Sequence, residues 1–137
     1  LRVDKLIISA METILRLTLS QEMEALPVYR MIRMSRDTLL RRAQPFLAIL
    51  LQTGGLPVVR LVEGHSLLGG GSTPEQKLPT PLVAVQGDVV AMEQSLRRWN
   101  PPIIARIEDG LLLLDLRTVD ESDDATVLAA LRSVAGV

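Results

Sequence analysis

Arg106 is the residue whose type and position point most directly to chemistry. It stands in the apolar run of residues 101–107, which is followed by Glu108-Asp109-Gly110 and by a second apolar run at residues 111–114. Asp-Gly between two strand-like runs predicts a β-hairpin. Because an unpaired buried charge is costly, a guanidinium in such a strand needs an anion. That anion is either a neighbouring carboxylate or a ligand.

A glycine-rich segment is the second candidate site. It begins at His65-Ser66 and contains Gly69-Gly70-Gly71-Ser72-Thr73-Pro74. Consecutive glycines permit positive φ or a close backbone approach, and their exposed amides can bind an anion. The segment lacks the Lys-Ser/Thr pair of a Walker loop and does not match G-x-G-x-x-G. A plain hairpin connection explains the same residues, so both interpretations stay open.

Composition excludes several classes of site. The 137 residues contain no cysteine and one histidine, His65, which excludes disulfides, thiolate chemistry and a histidine-rich metal site. A net charge of −1 and an aromatic content of 2% argue against nucleic-acid binding by this chain. Its longest apolar run, residues 46–51, is far shorter than a membrane span, and no signal peptide opens the chain. We therefore expect no membrane association and a cytoplasmic location.

Because the helical pattern is already running at residue 1, a leucine, we expect a piece of a longer protein.

Periodicity and capping signals predict an α+β fold with an antiparallel sheet covered by helices on one face and preceded by a long helix. The long helix covers residues 3–19, and a connector with room for a helical turn covers residues 20–34. A second helix covers residues 36–52, capped by Ser35 and kinked or split at Pro45. Strands follow at residues 57–63 and 81–86. Next come a helix that is capped by Asp88 and ends near Trp99, the Arg106 hairpin, and a last helix that starts in the acidic residues 120–124. We expect three arginines of the second helix to form a solvated face, namely Arg36, Arg41 and Arg42.

Three blocks in order give the chain a family resemblance. They are Leu1-Arg2-Val3-Asp4-Lys5-Leu6, then Gly69-Gly70-Gly71-Ser72-x-Pro74 with Leu78-Pro79, then Arg106-Ile-Glu-Asp-Gly with residues 113–119. Together they resemble bacterial selenocysteine synthase, also called L-seryl-tRNA(Sec) selenium transferase. The resemblance runs over nearly the whole chain and concerns the C-terminal part of that family.

This resemblance implies the small C-terminal domain of a fold-type-I enzyme that uses pyridoxal 5′-phosphate. Residues 1–20 would form a helix that links to a large domain outside this chain, and residues 21–137 would form the small domain. The cofactor would be bound mainly by the large domain, whose Schiff-base lysine would lie upstream of Leu1. Neither Lys5 nor Lys77 matches that lysine. The family also implies a homo-oligomer, with seryl-tRNA(Sec) and selenophosphate as partners.

The resemblance also implies roles for individual residues. Arg106 matches the small-domain arginine that holds a substrate carboxylate, for which a bidentate guanidinium is suited and lysine is not. On a seryl ester that role could shift to a carbonyl, a phosphate or the selenium donor. Arg2 falls in an arginine cluster that would meet selenophosphate. Ser66 and the loop Gly69, Gly70, Gly71 and Ser72 are similar, more loosely, to a substrate-adjacent segment of cystathionine-processing relatives.

The expected activity is conversion of seryl-tRNA(Sec) to selenocysteinyl-tRNA(Sec), by β-elimination of water and addition of selenium from selenophosphate. One alternative is a similar pyridoxal-phosphate enzyme that acts on a small amino acid or amino sugar acid without tRNA. A second alternative is a non-catalytic α+β assembly module. In that module Arg106 would be a structural ion pair with Asp115, which could equally pair with Arg117.

Overall fold

The computed structural model describes residues 3–53, 58–68 and 77–134. They belong to two units, Leu1–Met34 and Ser35–Val137. The domain division expected between residues 20 and 21 concerns a large domain outside the chain and stays a prediction. No helix in the described ranges is long and apolar enough to cross a membrane.

Unit 1 is helical. Helix α1 (Lys5–Leu19) starts where the Asp4 carboxylate accepts a hydrogen bond from the Leu6 amide at 2.9 Å, which confirms the predicted first helix. The segment expected to be a connector holds more regular structure than predicted, a 3₁₀ turn at Met23–Ala25 and helix α2 (Pro27–Arg33). Proline at the first helical position costs no hydrogen bond and presets φ, which explains why α2 begins there.

Helix α3 (Arg36–Thr53) opens unit 2 and is not split at Pro45. The Ser35 hydroxyl accepts a hydrogen bond from the Thr38 amide at 3.1 Å, as a helix cap does. Pro45 removes the bond to the Arg41 carbonyl, but both residues are exposed, so water can bind that carbonyl. The opposite side of the helix is buried on both sides of the proline, at Leu39, Ala43, Phe46 and Leu50.

A four-stranded antiparallel sheet forms the middle of unit 2, as predicted, in the spatial order β1-β2-β4-β3. Its strands are β1 (Val59–Leu67), β2 (Lys77–Val85), β3 (Arg106–Glu108) and β4 (Leu111–Leu114). Strands β1 and β2 extend well beyond the predicted ranges, into residues that the glycine-rich composition had assigned to a loop.

Strand β2 continues through two prolines because neither stands at a position whose backbone amide would donate to a neighbouring strand. The Gln86 amide donates to the Val58 carbonyl at 3.0 Å, so the even-numbered residues of β2 bond to β1. Pro79 and Pro81 face the other side, where β4 pairs only with Val83–Val85. Their missing amides therefore cost no strand-to-strand bond.

Three helices cover one face of the sheet, α3, α4 (Val89–Arg97) and α5 (Asp124–Val134). The predicted cap of α4 is confirmed, since Asp88 accepts from the Ala91 amide at 3.1 Å. The sheet contributes Val83, Val85, Leu112 and Leu114 to this core. A smaller apolar cluster, Leu82, Ala84 and Leu113, occupies the opposite face.

The expectation that Arg42 belongs to a solvated face is wrong. Its side chain is 8% exposed, and Nε and Nη2 donate to the Asp124 carboxylate at 3.0 and 2.6 Å. Nη1 donates to the carbonyls of Leu116 and Val119 at 2.9 and 3.0 Å. Arg42 therefore joins α3 to the segment that leads into α5. Arg41, by contrast, is exposed.

Candidate functional site

The predicted Arg106 hairpin is confirmed. Arg106 pairs with Leu113 across β3 and β4, and the turn residues Asp109 and Gly110 have φ of 51° and 73°. Two successive positive φ values are those of a type I′ turn, which Asp-Gly favours because glycine has no Cβ to clash. The hairpin therefore places Arg106 opposite Leu113, on the sheet face away from the helices.

An open groove of about 520 Å³ lies on this face, and we call it the Arg106 groove. It combines an apolar floor with a charged rim. The floor includes Val62, Leu82, Leu111 and Leu113, and the rim includes Glu63, Lys77, Arg106, Glu108 and Asp109. Such a surface suits a ligand with an apolar part and at least one anionic or oxygen-rich group.

The Arg106 guanidinium is held by one hydrogen bond and one ion pair. Nη1 donates to the His65 carbonyl at 3.1 Å, and Nε lies 3.3 Å from Glu108 Oε2 without the alignment of a hydrogen bond. The side chain is 40% exposed. Because a guanidinium carries five N–H donors, these contacts leave donors for a ligand in the groove. The carboxylate beside Arg106 is therefore Glu108, not Asp115.

The contact between Arg106 and His65 requires a curved sheet. In the strand order, β4 and β2 separate β3 from β1, and three strand spacings amount to about 14 Å in a flat sheet. That distance exceeds the length of an arginine side chain. The outer part of the β1–β2 hairpin must therefore bend over the open face, and this bend gives the groove its second wall.

Gly64 leaves room for the Leu82 side chain on the groove floor. A Cβ at residue 64 would overlap Leu82 Cδ1, lie 3.1 Å from Leu82 Cγ and lie 3.7 Å from Arg106 Nη2. Any side chain there would displace Leu82 from the groove floor. Sequence reasoning missed Gly64. An isolated glycine within a strand indicates that another group lies close to the backbone, but it does not identify that group.

Ser66, a predicted substrate-binding residue, is buried and bonded to Asp115. Its hydroxyl donates to Asp115 Oδ2, while Oδ1 accepts from Thr80 Oγ1 at 2.9 Å and from the Arg117 amide at 3.0 Å. Asp115 therefore accepts from the backbone amide of Arg117, the second of its two predicted partners. The three side chains of Ser66, Thr80 and Asp115 connect β1, β2 and the end of β4.

The Arg117 side chain adds a further bond to β2. Nη2 donates to the Pro79 carbonyl at 2.8 Å, on the side of β2 that lacks a strand partner. Burial lowers the pKa of the Arg117 guanidinium, and the Asp115 charge opposes that effect.

Glu63, which borders the groove, forms an ion pair with α3. Arg36 Nε donates to Glu63 Oε2 at 3.1 Å and Nη2 donates to Oε1. The hydrogen bond and charge of Arg36 lower the pKa of the Glu63 carboxyl, which therefore stays ionised at neutral pH. Arg36 thus lies at the surface, as expected, but with a specific partner.

The other predicted site residues lie outside the described ranges. These are Arg2, Gly69, Gly70, Gly71 and Ser72. Within the residues that the structure describes, no group of three histidine, aspartate or glutamate side chains is placed to hold a metal ion.

Comparison with known proteins identifies relatives of this chain. The family model for L-seryl-tRNA selenium transferase matches residues 1–120. The L-seryl-tRNA(Sec) selenium transferase of Geobacter sulfurreducens is 41% identical over 143 residues, which cover 98% of this chain and 30% of that protein. The enzymes of the same name from Alkaliphilus metalliredigens and Aquifex aeolicus are 35% and 34% identical, covering 98% and 100% of this chain. The chain spans about 30% of the length of these curated relatives. A match of this extent shows that the chain belongs to the L-seryl-tRNA selenium transferase family.

Proposed function

We propose that this chain is the small C-terminal domain of a selenocysteine synthase that converts seryl-tRNA(Sec) to selenocysteinyl-tRNA(Sec) with selenophosphate. Family membership over residues 1–120 is the observation that carries the proposal. The open groove supports it, because the family's third sequence block supplies the arginine at its rim. The proposal includes a fold-type-I large domain, a homo-oligomer and a cytoplasmic location.

Arg106 is the residue of this chain that we assign to substrate. Its unused N–H donors lie beside an apolar floor, where partial exclusion of water strengthens a bond to an anion. The group it would hold is a carboxylate or, on an esterified seryl group, the carbonyl or a phosphate oxygen. Arg2 would meet selenophosphate, and Ser66 with the loop Gly69, Gly70, Gly71 and Ser72 would lie beside the substrate.

The described residues of this chain do not fit pyridoxal 5′-phosphate as a complete site. A Schiff-base lysine is activated by desolvation, whereas Lys5 and Lys77 are both exposed. We therefore assign the cofactor and its lysine to another part of the longer protein. When bound there, the cofactor supplies the electron sink for loss of the serine hydroxyl. The contribution of this chain is to orient the substrate through Arg106.

The test is Arg106→Ala in the full-length protein, assayed for selenium transfer to seryl-tRNA(Sec). Loss of a charged orienting contact should lower kcat/KM about a hundredfold or more, with the thermal midpoint and cofactor absorbance little changed. Arg106→Lys should not restore the activity, because an ammonium cannot make the bidentate contact.

Arg60→Ala is the matched control. Arg60 pairs with Ala84, so it lies on the same open face of the sheet, but it does not line the groove. Its replacement should leave kcat/KM within about twofold, as expected of an exposed position. Full activity of Arg106→Ala would remove the substrate-binding role and favour the structural ion pair with Glu108.

A further inference from the structure

The His65 carbonyl that holds Arg106 is not used by the sheet. Because the Gln86 amide bonds to the Val58 carbonyl, hydrogen-bonded pairs of β1 and β2 fall on the even-numbered residues of both strands. His65 stands opposite Pro79 in a pair without ladder bonds. Its carbonyl is therefore free to accept from Arg106 Nη1, at 3.1 Å.

Asp115 fixes the residue next to that carbonyl. Ser66 is 8% exposed, and its hydroxyl donates to Asp115 Oδ2. Strand β4 has no backbone pairing with β1 and pairs with β2 only at Val83–Val85. The link from Asp115 to Ser66 is thus a side-chain connection between the end of β4 and the part of β1 that bends over the groove.

We propose that Asp115 is a positioning residue for Arg106, acting through Ser66 and the adjacent His65 carbonyl. A bidentate guanidinium contact depends on the plane of the guanidinium, and small errors in orientation are costly to catalysis. Holding Ser66 keeps the His65 carbonyl in place, and that carbonyl sets the direction of Nη1. The inference rests on the proposed substrate-binding role of Arg106 and extends it to two residues that do not need to touch substrate.

Thr80 offers a matched comparison within the same cluster. Its hydroxyl donates to Asp115 Oδ1 at 2.9 Å and it is fully buried, so its removal disturbs the same carboxylate. Thr80 lies on β2, however, where it pairs with Gly64, and it is not a neighbour of His65 in the chain. A purely structural cluster would make Ser66 and Thr80 equivalent, whereas a positioning role separates them.

The experiment compares Ser66→Ala and Thr80→Val in the full-length enzyme, each alone and combined with Arg106→Ala. We measure KM for seryl-tRNA(Sec) and for selenophosphate, kcat, and the thermal midpoint. Both single variants should lower the thermal midpoint, since each removes a buried hydrogen bond. Ser66→Ala should also raise, by about fivefold to tenfold, the KM of the substrate whose KM is raised by Arg106→Ala. Thr80→Val should leave that KM near the wild-type value.

The double variants decide between positioning and direct contact. If Asp115 and Ser66 act through Arg106, Ser66→Ala should have no further effect on KM once Arg106 is alanine. An effect of Ser66→Ala that persists in the Arg106→Ala background would overturn the positioning role and show direct contact with substrate. Equal KM changes for Ser66→Ala and Thr80→Val would also overturn it. If Arg106→Ala alone changes no kinetic constant, the proposed substrate-binding role of Arg106 is wrong as well. The other two outcomes overturn only the positioning role of Asp115.

Asp115→Ala gives an independent check. Alanine removes both acceptor oxygens, so the bonds from Ser66, Thr80 and the Arg117 amide are all lost. The KM change of this variant should likewise disappear in the Arg106→Ala background. A KM change of unaltered size there would count against the proposal.

Discussion

Replacing Gly64 with alanine tests the packing of Leu82 on the groove floor. The new Cβ would overlap Leu82 Cδ1 and lie 3.1 Å from Leu82 Cγ, whereas its 3.7 Å distance to Arg106 Nη2 is an ordinary van der Waals contact. The steric conflict therefore falls on Leu82, which is 2% exposed and packs with Ala84 and Leu113. A side chain in that setting cannot move without disturbing its neighbours.

The expected loss of stability follows from two opposing effects. Overpacking a core position costs about 1–3 kcal/mol, while replacing glycine with alanine returns about 0.4–1 kcal/mol by restricting the unfolded chain. The net loss for Gly64→Ala is therefore about 1–2 kcal/mol. In a unit of about 100 residues, 1 kcal/mol lowers the thermal midpoint by about 4–8 °C. We expect a midpoint about 5–15 °C lower, measured by circular dichroism of the full-length protein or of this chain.

A double-variant cycle tests the cause of that loss. Leu82→Ala alone should cost about 2–5 kcal/mol, but it removes the atoms that a Cβ at residue 64 would meet. Gly64→Ala should then cost nothing further in the Leu82→Ala background. Gly110→Ala is the control, because its Cβ meets no atom within 4 Å and its cost comes from a φ of 73°. Its effect should be the same in both backgrounds. A Gly64→Ala loss that is equally large in both backgrounds would refute the steric argument.

Two further predictions concern ion pairs of unit 2. Arg42→Met should lower the free energy of unfolding by about 3 kcal/mol, because it leaves the partly buried Asp124 carboxylate unpaired, whereas Arg41→Met on the exposed side should change it by less than about 0.5 kcal/mol. Urea titration measures both, and equal effects would contradict the assigned role of Arg42. Arg36→Gln should raise the pKa of the Glu63 carboxyl toward its ordinary value of about 4.3, observable by NMR titration. Because the folded pKa of Glu63 is lowered, the pair stabilises the fold above the ordinary pKa, and this stabilisation is lost as pH falls through the folded pKa. A Glu63 pKa that stays lowered in the variant would contradict the pairing.

Local sequence signals located the parts of the fold whose partners are close in the chain. Asp109-Gly110 predicted the hairpin, and Ser35 and Asp88 predicted two helix starts, because turns and caps depend on a few neighbouring residues. The same local reasoning predicted β1 and β2 to be shorter than they are. Glycine and proline near their outer ends suggested a loop, but pairing between the two strands outweighed that tendency.

The candidate site was predicted only in part because it depends on curvature. Arg106 was identified from its charge within an apolar run, yet its contact with His65 arises only when β1 bends over the sheet. The role of Gly64 depends on Leu82 of the neighbouring strand, and so has no local signature. Whether Arg106 and Ser66 meet substrate stays a prediction, and Arg2 with the loop Gly69, Gly70, Gly71 and Ser72 lies outside the described residues.

The surface of α1 has a consequence for how the polypeptide behaves in solution. Apolar side chains are exposed around most of this helix, including Leu6, Ile8, Met11, Ile14, Leu15 and Leu19. Apart from Thr18, its polar residues form one narrow stripe, namely Lys5, Ser9, Glu12, Thr13 and Arg16. A helix apolar over so much of its circumference is normally covered. Prepared as an isolated polypeptide, residues 1–137 should bind hydrophobic resins and self-associate as concentration rises. Residues 35–137, which retain the Ser35 cap and every described residue of the groove, should stay monomeric under the same conditions.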